Sequence, residues 1–187
     1  KAWTEGFYMR PRTDRVELEK YCEGLIVCSA CIAGEVPRKI LQGKMDEAEE
    51  AVQWYKRVFG SNFYLELQDH GIAEQKKANA GVIRLANDYG IGLVATNDVH
   101  YIEKGDAKYQ DLLMCIQMNR KVSETDRMAF ETDEFYVKST EEMYDLFSYI
   151  PQACENTVKI AEKCNVEFEF GNTILPNYDV PAEFENH

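Results

Sequence analysis

Leu93-Val94-Ala95-Thr96-Asn97-Asp98-Val99-His100-Tyr101 begins as a buried strand and ends in side chains that can do chemistry. The apolar run follows Gly90 and Gly92 and is typical of a strand covered on both faces. Residues two apart in an extended chain point to the same side, so Asp98 and His100 are expected to converge where this strand ends. Parallel α/β folds carry their chemistry at that edge. Taken alone, Asp-x-His is weak evidence, because surface ion pairs and turns produce the same pattern.

The first hundred residues repeat a strand–helix order, which predicts an α/β fold. Three strands are expected, at Gly24–Cys28, Phe63–Gln68 and Leu93–Asp98. Four helices are expected between and before them, at Asp14–Tyr21, Val36–Leu41, Asp46–Phe59 and Ile72–Tyr89. Repeated βαβ order indicates a parallel sheet or part of a barrel with right-handed crossovers. Glu66 and Gln68 share one face of the second strand, which fits a barrel lumen better than a flat sheet.

After Tyr101 the pattern becomes less regular. A helix is expected at Asp106–Met118, a polar loop to Glu131 and a short strand at Glu134–Val137. Ser139 and Glu142 form a capping box that opens a further helix. Pro151 opens the last helix, which reaches about Cys164. Residues 166–187, with two prolines, are predicted to be a linker.

Composition limits the function classes. The chain has 187 residues, 45% hydrophobic and 12% aromatic, which is sufficient for a globular core. No apolar run approaches the roughly 20 residues of a membrane helix, and no signal peptide is visible, so no membrane partner is expected. Both ends resemble cuts through a longer protein. The net charge of −12 argues against non-specific DNA binding, unless other domains supply a positive surface.

The six cysteines show no disulfide framework, which predicts reduced thiols and a cytoplasmic protein. Cys28 and Cys31 have Cys-x-x-Cys spacing, but a zinc site of two such pairs would need a second pair. Cys28 ends an apolar run and is expected in the core. Cys31 lies just past the predicted strand and is the more interesting thiol.

Four motifs occur in order and together resemble one family. They are Ser29-Ala30-Cys31-Ile32-Ala33-Gly34-Glu35, Leu65-Glu66-Leu67-Gln68-Asp69-His70-Gly71, Ala95-Thr96-Asn97-Asp98-Val99-His100-Tyr101 and Phe130-Glu131-Thr132-Asp133-Glu134-Phe135-Tyr136. The family is the polymerase-and-histidinol-phosphatase (PHP) domain at the start of the bacterial replicative DNA polymerase III alpha subunit. The resemblance implies a partial (β/α)7-like barrel with a C-terminal helical connection. Residues 1–118 would be the C-terminal part of the domain, 119–165 a strand–helix–helix closing segment and 166–187 a linker towards the polymerase palm.

The resemblance also implies a metal site. It places Cys31, Asp98 and His100 at ligand positions for zinc or manganese, and thiolate, carboxylate and imidazole suit zinc in particular. The opening His-x-His motif and further ligands of the family lie upstream of the matching region, and the only histidines here are His70, His100 and His187. The isolated chain is therefore expected to bind metal weakly or not at all. The magnesium of the polymerase site would lie outside it.

Two further residues are candidates for lining this site. His70, in a Gln-Asp-His-Gly turn, could line the metal site or cap a strand end. Glu66 could support the ligands by hydrogen bonding or have no role. The acidic run from Asp46 to Glu50 is most simply the solvated face of a helix.

The parent protein implied by the resemblance carries out DNA synthesis by two-metal phosphoryl transfer in domains outside this chain. For this domain two hypotheses stay open: a metal-dependent phosphoesterase, with 3′–5′ exonuclease activity, and a structural module that docks other subunits. A small-molecule phosphatase of the histidinol-phosphate type is a distant third. The implied partners are the rest of the alpha chain, primer–template DNA and replisome subunits, including a proofreading subunit. Exposed strand edges of a partial barrel also predict self-association.

Overall fold

A parallel sheet of three strands lies at the centre of residues 1–173 and 175, which the computed structural model describes. Its strands are β3 (Val27–Cys28), β4 (Phe63–Leu67) and β5 (Gly92–Ala95), in the order β3-β4-β5. Both strand pairs are parallel, as the repeated strand–helix order predicts. A separate two-stranded antiparallel hairpin, β1 (Phe7–Tyr8) and β2 (Arg10–Pro11), precedes the first helix and was not predicted.

The helices match the sequence pattern closely. Asp14 caps the first helix by accepting a hydrogen bond from the Glu17 N–H at 3.0 Å, and Ser139 and Glu142 form both bonds of the predicted capping box. The described residues contain seven α-helices: α1 (Arg15–Lys20), α2 (Glu35–Leu41), α3 (Met45–Phe59), α4 (Ala73–Tyr89), α5 (Ala107–Met118), α6 (Thr140–Leu146) and α7 (Gln152–Lys163). None of them is long and apolar enough to cross a membrane.

The core forms between the sheet and the helices that cover it. Helix α4 packs on β4, α7 packs along β5, and α2 contacts both α3 and α4. Burying one aliphatic or aromatic side chain stabilises a fold by about 1.5–3 kcal/mol, so this cluster dominates the stability of the described chain. Its fully buried members include Val36, Val52, Phe63, Leu65, Leu67, Val82, Leu85 and Phe147.

Helix α7 also provides hydrogen-bond donors at the edge of the sheet. The Asn156 side chain donates to the Leu93 carbonyl at 2.7 Å, so a carbonyl of an edge strand is paired. Lys163 donates to the Tyr64 hydroxyl at 3.1 Å. A Cβ added at Gly92 would lie 2.9 Å from the Tyr64 ring, so this position requires glycine.

Several sequence expectations need correction. The strand that begins at Gly92 ends at Ala95 and does not extend to Asp98. The predicted strand at 134–137 is reduced to a single bridge between Tyr101 and Tyr136. Cys28 is exposed, because β3 is short and lies at the other edge of the sheet.

On the face of β4 that was expected to line a lumen, both Tyr64 and Gln68 are buried, and closure of the sheet into a barrel stays a prediction. The described residues form a mixed α/β unit around a small parallel sheet. Residues 166–173 and 175, from the predicted linker, contain no helix or strand, and the rest of that linker lies outside the described residues.

Candidate functional site

The carboxyl ends of the three parallel strands bring the predicted site residues to one edge of the sheet. Cys31 follows β3, His70 follows β4, and Asp98 and His100 follow β5. Parallel strands have their carboxyl ends on the same side, so these side chains share an edge although they are far apart in sequence.

The loop that carries Cys31 is tightly turned. Ala30 has φ of +62°, a left-handed conformation that costs a non-glycine residue about 1–2 kcal/mol. The Gly34 N–H donates to the Cys31 carbonyl at 2.7 Å, and a Cβ added at Gly34 would lie 2.3 Å from the Ser29 carbonyl oxygen. Backbone strain of this kind is often stored at functional sites, which supports the selection of Cys31.

Cys28 and Cys31 differ in their surroundings. Partial burial raises the pKa of the Cys28 thiol, and the negative charge of Glu66 adds to the effect. A raised pKa disfavours the thiolate that a redox or metal-binding cysteine needs. Cys28 is therefore a poor candidate for a metal ligand. All six cysteines are free thiols, as predicted.

Three polar side chains join β4 to the end of β5 beside Cys31. Glu66 accepts hydrogen bonds from the Thr96 hydroxyl and, at 3.0 Å, from the Gln68 side-chain amide. Gln68 also reaches Thr96 at 3.2 Å. Cys31, Glu66 and Gln68 line one small cavity together with Asn79. Sequence reasoning did not select Gln68 or Thr96, although both continue the polar face of Glu66.

The Gln68 carbonyl oxygen, Oε1, is buried and has no hydrogen-bond partner within the described residues. Leaving a buried acceptor unpaired costs about 1–3 kcal/mol. This oxygen lies in the side chain that lines the Cys31 cavity. An oxygen acceptor beside a thiol and a carboxylate is a donor set that a bound cation would satisfy.

His70 is fully buried and uses both ring nitrogens. Gln75 Oε1 accepts from the His70 backbone N–H at 2.7 Å, so the amide group of Gln75 must donate to His70 Nδ1 at 2.7 Å. Nε2 therefore carries the proton and donates to the Asn97 carbonyl at 2.7 Å. The ring also stacks on Phe135, with centroids 4.0 Å apart. In this arrangement His70 holds the loop after β5 rather than presenting a free nitrogen.

Asp98 and His100 lie close to one another, but not for the predicted reason. Asp98 has φ of +44°, so the chain has left the extended conformation before it reaches His100. The two side chains are nevertheless neighbours, with His100 Nδ1 4.0 Å from Asp98 Oδ1. His100 Nδ1 lies 2.8 Å from the Asp98 carbonyl oxygen and donates to it, which leaves the lone pair of Nε2 free to bind a cation. Metal-binding histidines usually make such a bond with the other ring nitrogen.

A covering segment, residues 130–138, fixes this loop from outside. The His100 N–H donates to the Phe135 carbonyl at 2.8 Å, and the Asn97 side chain donates to the Tyr136 carbonyl. The Thr132 hydroxyl donates to the His70 carbonyl at 2.9 Å. The fourth sequence motif therefore acts by holding the second and third motifs together.

The predicted ligands are not gathered into a complete metal cage. Among residues 1–173 and 175, no three His, Cys, Asp or Glu side chains lie close enough to hold a metal ion together. Cys31 and His100 line different cavities, the second of which also contains Met114 and Phe130. The donor types fit zinc or manganese, and the Gln68 oxygen and the His100 Nε2 are available, but a complete site needs additional ligands.

The chain is similar in sequence to known proteins of one family. The PHP domain family matches residues 1–70. The chain is 48% identical over 184 residues to the DNA polymerase III subunit alpha of Borreliella burgdorferi, which covers 98% of this chain and 16% of that protein. It is 46% identical over 187 residues to the same subunit of Treponema pallidum, covering 100% of this chain and 16% of that protein.

A more distant relative shows the same relationship. The chain is 40% identical over 190 residues to the DNA polymerase III subunit alpha of Thermus aquaticus, covering 97% of this chain and 15% of that protein. The family match and the parallel sheet with its covering helices identify the chain as a PHP-type α/β unit. It belongs to the family of the bacterial DNA polymerase III alpha subunit, and it spans about one sixth of the length of the curated relatives that it matches.

Proposed function

We propose that this unit is a metal-dependent phosphoesterase within the polymerase subunit, and specifically a 3′–5′ exonuclease that removes misincorporated nucleotides. The observation that carries the proposal is the shared strand edge, where Cys31, Asp98 and His100 follow β3 and β5. The parallel strand order supports a common edge for these residues, where Cys31 lines a small cavity with Glu66, Gln68 and Asn79. Template-directed DNA synthesis, with its magnesium site, is proposed for the parts of the full-length subunit outside this chain.

The residues of this chain would act as ligands and as their supports. His100 would bind through Nε2, since Nδ1 is engaged by the Asp98 carbonyl. The Cys31 thiolate and the Asp98 carboxylate would complete this chain's share of the site, and Glu66 and Gln68 would orient the neighbouring ligands. His70 would support the site from outside by holding the loop after β5 through the Asn97 carbonyl. Bound zinc or manganese would activate water and stabilise the leaving oxygen. The remaining ligands are proposed to come from upstream sequence of the full-length subunit.

The two cysteines provide a matched pair for testing this proposal. In the full-length subunit, Cys31→Ser and His100→Ala are expected to reduce bound metal and to lower metal-dependent 3′–5′ exonuclease activity by at least about a hundredfold. Cys28→Ser, three residues from Cys31, is expected to change neither. Metal content by elemental analysis and hydrolysis of a labelled 3′ end measure the two effects. Polymerase activity of each variant serves as the control for folding.

Each result has a defined meaning. Wild-type protein that holds metal but releases no nucleotides would reject catalysis and leave the metal as a structural element. Wild-type protein without metal would show that the three residues are no longer ligands. Equal losses in Cys28→Ser and Cys31→Ser would remove the assignment of Cys31.

A second candidate function, a docking module, is favoured by the outer face of α5. Tyr109, Leu113 and Ile116 lie on one stripe of this helix and are 56%, 60% and 68% exposed, while Met114 and Cys115 face inward. An exposed apolar stripe of this kind is typical of an interaction surface. The relatives extend over about six times the matched length, so the proposed occupant is the rest of the polymerase chain.

Charge substitution tests the docking proposal in the full-length subunit. Leu113→Glu or Ile116→Glu would place a carboxylate in the interface and is expected to lower the melting temperature by several degrees. Gln117→Glu, one residue from Ile116 on the same helix, adds the same charge outside the stripe and is expected to have little effect. Equal melting temperatures for all three variants would show that the α5 stripe faces solvent in the complete protein.

A further inference from the structure

The hairpin formed by β1 and β2 exposes three aromatic rings close to one another. Trp3, Phe7 and Tyr8 are 72%, 52% and 69% exposed, in contrast with the rings of the core. Trp3 and Phe7 stack with centroids 5.6 Å apart and an angle of 21° between the rings. Met9, at the turn, has φ of +58°, and the Arg12 N–H donates to the Gly6 carbonyl at 3.1 Å, which fixes the hairpin.

The same hairpin carries positive charge without neutralising partners. Arg10 and Arg12 are exposed, and neither forms an ion pair within the described part of the chain. The Arg12 guanidinium lies 5.6 Å from the centre of the Tyr8 ring. Of the nearby acidic residues, Glu5 pairs with Lys1 and Asp14 caps α1, and both line a cavity with Glu17 and Arg12. In a chain of net charge −12, residues 7–12 of the hairpin carry two arginines and no carboxylate.

Contacts of α1 connect the segment after the hairpin to the start of α2, which follows the loop that carries Cys31. Arg15, the first residue of α1, pairs with Glu35 at 2.7 Å. Glu35 is the first residue of α2 and follows Cys31 by four positions. The hairpin ends four residues before Arg15, so the Arg15–Glu35 pair links the segment that follows the hairpin to the start of α2.

We propose that this aromatic–arginine hairpin, comprising Trp3, Phe7, Tyr8, Arg10 and Arg12, binds the unpaired 3′ end of a DNA strand. Exposed rings on which bases stack, together with arginines that contact phosphates, are the combination by which proteins bind single strands. Charge complementarity favours this ligand, since no acidic residue occurs between Gly6 and Thr13. The proposal rests on the exonuclease function above and names the element that delivers its substrate.

Binding is tested in the full-length subunit by a local and metal-independent measurement. A single-stranded oligonucleotide with 5-iodouracil near its 3′ end is cross-linked by light in the presence of EDTA, and the attached peptides are mapped by mass spectrometry. Cross-links to residues 3–12 are expected, and Tyr8→Leu should reduce them. The absence of cross-links in this range, or their persistence at equal yield in Tyr8→Leu, would overturn the proposal.

Kinetics provide a second test with a matched control. Arg10→Glu with Arg12→Glu is expected to raise KM for a single-stranded exonuclease substrate by about tenfold at physiological salt and to flatten its salt dependence, with kcat unchanged. Lys76→Glu with Lys77→Glu makes the same charge change on the exposed face of α4 and should alter KM less than twofold. Restoring the charge with Arg10→Lys and Arg12→Lys should recover most of the affinity. Equal effects of the two glutamate pairs would overturn the proposal.

The two proposals can fail separately. Cross-linking to the hairpin without exonuclease activity would reject the catalytic function but support the hairpin as a DNA-binding element. Exonuclease activity with no cross-link and an unchanged KM would reject the hairpin as the DNA site. In that case, protection of residues 3–12 from proteolysis in the full-length subunit would identify polypeptide as the occupant.

Discussion

The strands β4 and β5 and the loop that follows them, residues 96–101, lie side by side but are held in different ways. The strands share a backbone ladder and bury Leu65, Leu67 and Leu93 against helices. The loop has no ladder and only one bridge, between Tyr101 and Tyr136. Thr96 is bonded to β4 through the Leu67 carbonyl and the Glu66 side chain, and the rest of the loop depends on hydrogen bonds to His70 and to the covering segment.

This difference distinguishes the scaffold, which the strands form, from the candidate site, which the loop carries. Many apolar contacts together fix the position of the strands, so a single core side chain can vary within limits. Each hydrogen bond that holds the loop has no substitute, so the loss of its donor or acceptor leaves a buried polar group without a partner. The candidate ligands Asp98 and His100 lie on the second kind of structure, which explains why the loop can adopt the left-handed conformation at Asp98.

The largest effect is expected in the scaffold. Leu65→Ala removes a fully buried side chain from the middle strand and should lower the free energy of unfolding by about 2–5 kcal/mol. Leu112→Ala makes the same change at a side chain that is 46% exposed and should cost less than about 0.5 kcal/mol. Urea unfolding followed by circular dichroism measures both. Similar values for the two variants would contradict the core assigned here.

A smaller and more local effect is expected at the loop. Gln75→Leu keeps the approximate size of the side chain but leaves His70 Nδ1 and the His70 backbone N–H without partners. The expected loss is about 1–3 kcal/mol. Amide hydrogen exchange should increase at residues 96–101 and remain unchanged in β4. Uniform acceleration across the sheet would show that His70 supports the scaffold and not the loop.

The smallest effect concerns the end of the covering segment. The Tyr136 hydroxyl donates to Glu142 at 2.6 Å, and this bond, with a smaller effect of burial, raises the pKa of Tyr136 to about 12. Because the folded state favours the neutral phenol, the stabilisation is present below the ordinary tyrosine pKa of about 10. It is lost as the pH rises from there to about 12.

Spectroscopic titration measures this group directly. The difference in phenolate absorbance between wild type and Tyr136→Phe should show one tyrosine that ionises near pH 12. In Glu142→Gln the same tyrosine should ionise at lower pH, because the charged acceptor is gone. A Tyr136 titration unaffected by Glu142→Gln would show that burial, and not this hydrogen bond, causes the shift.

The sequence predicted the scaffold well and the site only in part. Helical periodicity and capping residues gave α3, α4 and α7 to within one or two residues. The prediction was wrong where the local sequence pattern continues a strand but the pairing with the neighbouring strand ends. The strand signal at Leu93 was extended to Asp98, although the ladder stops at the Leu67–Ala95 pair and the next carbonyl, that of Gln68, accepts from the Asn79 side chain.

Composition, periodicity and four ordered motifs determined the α/β class, the helices and the family of this chain. Those properties depend on neighbours in sequence and on residue types, which the sequence contains directly. Only the tertiary structure decided that His70 holds the loop through Asn97 and that residues 130–138 cover the site. It also decided that Gln68, which shares a cavity with Cys31, has a buried oxygen without a partner among the described residues. These contacts join residues that are distant along the chain, and no local pattern specifies which partner a buried polar group will find.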